Sequence, residues 1–268
     1  MSLTITILGC GSSAGVPRVG QGWGACDPSN PRNRRRRCAI LVARGERGAA
    51  DAEREQVLVD AGPDLREQLL GEDVRRLDAL LLTHAHADHL HGIDDVRPLV
   101  LIQRARIPIY MDEPTAAEAH AKFGYAFKTP PGSSYPPLFV DHRLKPGLGV
   151  AIRGPGGAID ALPILLRHGD IDALGFRFGD VAYTPDVSSI PEDAFEALRG
   201  LDLWIIDALR YTRHPTHICV EEALAYIAAL KPRRAILTNL HTDLDYARLK
   251  AELPPHVEPA YDGMRIVV

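Results

Sequence analysis

The apolar run Ala79–Leu82 empties directly into Thr83-His84-Ala85-His86-Ala87-Asp88-His89. Four imidazole or carboxylate groups within six residues are hard to justify as packing, because buried polar side chains cost free energy unless they find partners. The chain turns sharply where a strand ends, so alternate side chains there can converge on one point. His84 and His86 are then expected on one metal ion, with Asp88 and His89 on a second. Neutral imidazole and carboxylate suit Zn2+, and also Mn2+ or Fe.

The same pattern of a strand running into a polar loop recurs along the chain and predicts an α/β fold. Thr4–Leu8, Val57–Val59, Asp78–Leu82, Val181–Thr184, Leu203–Ile206 and Ala235–Leu237 read as strands. Helices are predicted from Asp64 to Leu70, from a capping box at Thr115-x-x-Glu118 to Gly124, and over Pro191–Arg199, Glu221–Leu230 and Tyr246–Leu253. Two long segments, Gly9–Arg37 and Phe123–Pro137, carry no periodic pattern, and loops of that length are usually functional or disordered. Nothing between them looks like a linker, so residues 1–268 are expected to form a single domain.

Composition excludes several function classes. The chain is 46% hydrophobic and 25% charged, the balance of an ordinary globular protein. Its longest apolar runs fall far short of the roughly 18 residues that span a bilayer. The N-terminus has no basic flank followed by an apolar stretch, so no signal peptide is expected and a cytoplasmic location is. A net charge of −4 provides no global basic field, and nucleic acid is not an expected partner. Cys10, Cys26, Cys38 and Cys219 lie far apart and are expected as reduced thiols. Only Cys26 and Cys38 could share a metal, with other ligands supplied from elsewhere.

The H-x-H-x-D-H motif resembles the metallo-β-lactamase superfamily. That resemblance implies a four-layer αββα sandwich of two mixed sheets flanked by helices. It also implies further ligands, each following a strand-like run: His168 in Leu165-Leu166-Arg167-His168, Asp186 in Tyr183-Thr184-Pro185-Asp186, and His241 in Leu237-Thr238-Asn239-Leu240-His241. The family often places its last ligand directly after the threonine. Here Asn239 holds that slot, and His241 is the nearby candidate. Two ions about 3.5–4 Å apart, bridged by Asp186 and a hydroxide, would form a two-metal hydrolytic site.

The whole chain resembles the phosphodiesterase branch of that superfamily, the PhnP family in particular and tRNA 3′-end processing nucleases more distantly. The likeness includes the opening Leu3–Pro17, the run Arg34-Arg35-Arg36-Arg37-Cys38 and the closing Tyr261-Asp262-Gly263-Met264. In this branch a histidine placed like His217 protonates the departing oxygen, and histidine titrates near neutral pH as that role needs. His214 is the rival three residues earlier. The catalytic candidates are therefore His217 and Asp88.

The structural zinc that PhnP relatives hold on clustered cysteines is expected to be absent or altered. The Arg34–Arg37 run reads either as a solvated edge or as a phosphate clamp, and Trp23 as an anchor for its loop. The expected reaction is hydrolysis of a small or cyclic phosphodiester or nucleotide with two divalent ions, Zn2+ first. The alternatives are a tRNA 3′-end processing endonuclease and a non-catalytic accessory protein of cofactor biosynthesis. The expected partner is the small substrate, with no membrane; a homodimer stays open.

Overall fold

The computed structural model describes residues 2–45 and 53–268. Two seven-stranded sheets stack face to face. The first runs, in spatial order, β14 (Met264–Val267), β1 (Ser2–Gly9), β2 (Ala39–Gly45), β3 (Glu55–Val59), β4 (Ala79–Leu81), β5 (Ile107–Met111) and β6 (Phe139–Arg143). The second runs β13 (Val257–Pro259), β12 (Arg234–Thr238), β11 (Leu203–Asp207), β10 (Val181–Thr184), β9 (Ile171–Phe178), β8 (Gly157–His168) and β7 (Val150–Gly154).

The strand sequences explain the layering. In β3, Val57 and Val59 face the other sheet while Leu58 faces outward, and in β11 Ile205 faces inward while Trp204 and Ile206 face outward. Both faces are apolar because both are covered, as parallel strands require. On the outside of the first sheet lie α1 (Leu65–Gly71), α2 (Ala87–Leu90), α3 (Arg97–Gln103) and α4 (Glu113–Phe127). On the outside of the second lie α5 (Glu192–Phe195), α6 (Val220–Leu230) and α7 (Tyr246–Glu252). This is the expected four-layer αββα sandwich. No helix among the described residues is long and apolar enough to cross a membrane.

Strands β3 to β6 are parallel to one another, as are β10 to β13. Parallel strands deliver their following loops to one edge, which is where α/β sheets hold their ligands. The loops after β3, β4, β10, β11 and β12 meet there.

Several elements differ from the sequence reading. Helix α4 begins earlier than the Thr115 box implied, because the Asp112 carboxylate caps it by accepting from the Thr115 N–H (3.0 Å). It then continues past Gly124 to Phe127 with a kink at Phe123. The Gly9–Arg37 segment is irregular yet pinned, through bridges from Gly11 to Arg37 and Leu240 and from Val16 to Arg35.

The arginine run is mostly consumed in that pinning. Arg35 is buried and donates to the carbonyls of Leu244 (2.7 Å) and His241 (3.3 Å). Arg36 pairs with Asp262 (3.1 Å) and Arg37 with Asp64 (2.8 Å). Only Arg34 is left over a ring, 5.2 Å above Trp23. All four cysteines are free and buried. Cys26 lies against the Thr242 carbonyl and Cys38 against Thr238, and no cysteine joins a ligand group among the described residues.

Candidate metal centre

The first ligand loop is set by close backbone contacts that only glycine permits. A Cβ on Gly62 would fall 1.9 Å from the Asp88 carbonyl oxygen, and one on Gly92 would fall 1.9 Å from that of Gly62. These two glycines let α2, which carries Asp88 and His89, press against the loop after β3. That loop begins with Asp60, held at a positive φ of 67°.

Each buried imidazole is oriented by its Nδ1. His84 Nδ1 lies 2.9 Å from Thr83 Oγ1, His89 Nδ1 2.7 Å from Asp60 Oδ2, and His168 Nδ1 2.7 Å from the Thr216 carbonyl. Acceptors at Nδ1 fix the tautomer and leave the Nε2 lone pairs facing inward, as metal-ligating histidines require. His84 Nε2 is buried with no hydrogen-bond partner, an orphan whose natural complement is a cation.

The Nε2 atoms and the Asp186 carboxylate converge. Asp186 Oδ2 lies 3.8 Å from His84 Nε2 and 3.6 Å from His168 Nε2, and its Oδ1 lies 3.3 Å from His89 Nε2. His86 Nδ1 is 3.2 Å from His168 Nε2, and Asp88 Oδ2 is 3.5 Å from His89 Nε2. The donors of His84, His86 and His168 therefore form one group able to hold an ion, and those of His84, His89 and Asp186 another. His168, Asp186 and His217 make a third such group, and Asp186 faces His84 and His168 with Oδ2 and His89 with Oδ1.

The electrostatics fit cations. Burial holds His84, His86 and His168 below the usual histidine pKa, which keeps them neutral and ligand-competent. Burial also disfavours charge on His89, but Asp186, Asp60 and Asp88 around it outweigh that and hold it well above its usual value. Three carboxylates around one imidazole amount to a local demand for positive charge.

His241 is not brought into this centre. After β12 the chain passes through Asn239 at a positive φ of 62°, which aims the Asn239 amide, not His241, at Asp186 (3.4 Å). The His241 ring instead sits between Asp243 (Nδ1, 3.1 Å) and the Arg18 guanidinium (Nε2, 2.6 Å). A guanidinium on Nε2 occupies the lone pair a metal would need. His241→Ala is accordingly expected to retain the wild-type metal content by elemental analysis, and loss of one ion would return it to the ligand set.

His217 is brought in. Its Nδ1 lies 2.8 Å from Asp207 Oδ2 and its Nε2 lies 4.0 Å from Asp186 Oδ2. Burial opposes its charged form, yet Asp207 and Asp186 together lift its pKa to about 9. His214 stands one ring further out, 5.4 Å between centroids. Asp60 and Asp207 were not singled out from sequence as site residues. Each is a carboxylate that closes an apolar run, Val57–Val59 or Leu203–Ile206, and that placement was the available signal.

The comparisons agree with this geometry. Residues 55–239 match the β-lactamase superfamily domain. This chain belongs to that superfamily. Among its solved members, a diphosphatase of the PhnP family is 34% identical with a TM-score of 0.88, covering 100% of this chain and 98% of the other. An octanoyltransferase of Porphyromonas gingivalis is 30% identical over 267 residues, 98% of this chain and 51% of that protein. Ribonuclease Z of Bradyrhizobium diazoefficiens is 32% identical over 160 residues, 59% of this chain and 48% of that one. The chain thus spans about half the length of the curated relatives it matches.

Proposed function

We propose that this superfamily member is a two-metal phosphodiesterase acting on a small phosphodiester or nucleotide. The observation that carries the reading is His217, an imidazole held on a buried carboxylate beside the ligand groups. His84, His86 and His168 would hold one ion, Asp88 and His89 the other, with Asp186 shared. Bound divalent ions supply an acidified water and offset charge on the phosphoryl oxygens.

The chain's own residues account for the rest. Hydrolysis adds the oxygen of water to phosphorus and breaks the bond to one ester or anhydride oxygen, which leaves most readily with a proton. His217 holds that proton on Nε2, and Asp207 orients the ring and stabilises its charged form. Asp207 and Asp186 hold its pKa above the usual histidine value, at about 9. The acid is therefore protonated at low pH, and kcat should fall as pH rises through that value.

The PhnP-family diphosphatase supports the phosphoryl reading across the whole chain. The ribonuclease Z match supports RNA cleavage as a second reading, opposed by the net charge of −4. Purified protein should turn over bis(p-nitrophenyl) phosphate, lose that activity on chelation and regain it with Zn2+ or Mn2+. Turnover of an octanoyl thioester or of structured RNA, with none of the diester, would overturn the proposal.

A further inference from the structure

The donors gathered around Asp186 are divided unequally between its two oxygens. His84 Nε2 belongs to both of the first two ligand groups, but an imidazole nitrogen has a single lone pair to give. It faces Asp186 Oδ2 (3.8 Å), the oxygen that His168 Nε2 also faces (3.6 Å). His86 Nδ1 joins them, 3.2 Å from His168 Nε2. His217 Nε2 lies on this side too, 4.0 Å from Oδ2. The Oδ1 side is poorer in nitrogen. His89 Nε2 lies there at 3.3 Å, with the Asp88 carboxylate 3.5 Å from the same nitrogen.

Asn239 closes the Oδ1 side. Its Nδ2 donates to the Pro185 carbonyl (3.1 Å) and lies 3.4 Å from Asp186 Oδ1. Turning the amide over would set its oxygen against those two oxygens, so hydrogen is what it presents. An N–H has no lone pair for a cation, and it occupies one of the lone pairs of Oδ1. The backbone holds the side chain in this place. Asn239 has a φ of 62°, in the left-handed region that asparagine enters more readily than most residues. Its neighbours are tied on both sides, by Ala208 N to Thr238 O (3.0 Å) and by Leu240 N to Cys10 O (2.8 Å). The other nearby donors are engaged elsewhere. His241 Nε2 takes the Arg18 guanidinium, and Cys38 Sγ rests on Thr238 Oγ1 (3.6 Å). Among the described residues, no further His, Cys, Asp or Glu joins His89 in a ligand group except His84 and Asp186.

The two donor sets suit different ions. Three imidazoles and a carboxylate oxygen favour Zn2+. One imidazole with two carboxylates, completed by oxygen from solvent or substrate, favours a harder ion such as Mn2+. In most sites Zn2+ still binds more tightly than Mn2+, so the donor sets change the size of that preference and not its sign.

We infer that the two positions differ in kind: the His84, His86 and His168 side is strongly zinc-selective, and the Asp88 and His89 side is a hard-ion position that Asn239 keeps oxygen-rich. This deepens the two-metal reading and rests on it for the presence of two ions. Asn239 acts as a positioning residue that sets which ion the second position prefers.

The test is displacement of Mn2+ by Zn2+, read by electron paramagnetic resonance, in which released Mn2+ gives a sharp six-line signal. In protein loaded with two Mn2+ ions, the first equivalent of Zn2+ should release one of them. Release of the second should need at least about tenfold more Zn2+. Asp88→Ala should lose the late stage and His86→Ala the early one, and the reverse assignment would overturn the inference. Asn239→His offers a ring nitrogen on a residue type that also enters the left-handed region readily, and it should release both ions with two equivalents. Asn239→Ala removes the amide without adding a donor and should keep the two stages.

Both ions released together from the wild type would overturn the inference and leave the two-metal reading standing. Two stages persisting in Asn239→His would remove Asn239 from the selection. Uptake of a single Mn2+ per chain, counted by elemental analysis, would defeat the two-metal reading and this inference with it.

Discussion

His217→Ala is expected to keep both metal ions and to lose about 10²–10⁴ in kcat on a diester with an alkoxide leaving group, the usual worth of a general acid. The reasoning is geometric. His217 Nδ1 is committed to Asp207, so only Nε2 faces the centre, and it stands 4.0 Å from Asp186 Oδ2. A p-nitrophenolate departs without needing a proton, so the loss should shrink sharply for that leaving group. A residue that only positioned substrate would slow both diesters alike. The fall of kcat with rising pH should also disappear in the variant. Equal losses on the two leaving groups would exclude proton delivery, and loss of metal would make His217 a ligand.

Asp186→Ala should lose most of both ions, from about two per chain, because its Oδ2 faces His84 and His168 while its Oδ1 faces His89. Removing it also strips from His89 one of three surrounding carboxylates. Asp186→Asn is the informative companion. It preserves size but halves the acceptor capacity and removes the charge, so it should weaken metal binding less than alanine while still abolishing turnover. Elemental analysis after dialysis reads both variants, and full metal retention in Asp186→Ala would refute the sharing of that carboxylate.

Part of the candidate centre was legible because its residues are local in sequence. His84, His86, Asp88 and His89 sit in one strand-end loop, and such a density of donors has few physical uses besides a cation. His168, Asp186 and His217 were reached through a resemblance, since a lone histidine or aspartate after a strand carries no signal of its own. Asp60 and Asp207 escaped notice for that reason. Each acts only through the imidazole it orients, and that imidazole is 29 and 10 residues away in the chain respectively.

The sequence alone determined the alternation of apolar strands with polar loops, and hence an α/β fold; the two covered sheets followed from the family resemblance. It determined the first ligand loop, because there the donors and the turn are contiguous. Tertiary structure decided which later residues face that loop. The left-handed turn at Asn239 sends one side chain toward Asp186 and the next histidine toward Arg18, a difference of two residues that spacing cannot resolve. It also decided the fate of the arginines. Arg35, Arg36 and Arg37 are adjacent in sequence yet spent on different partners, while Arg18, far away in the chain, is turned onto the His241 ring. Charge compensation depends on what folds against a side chain, and only packing sets that.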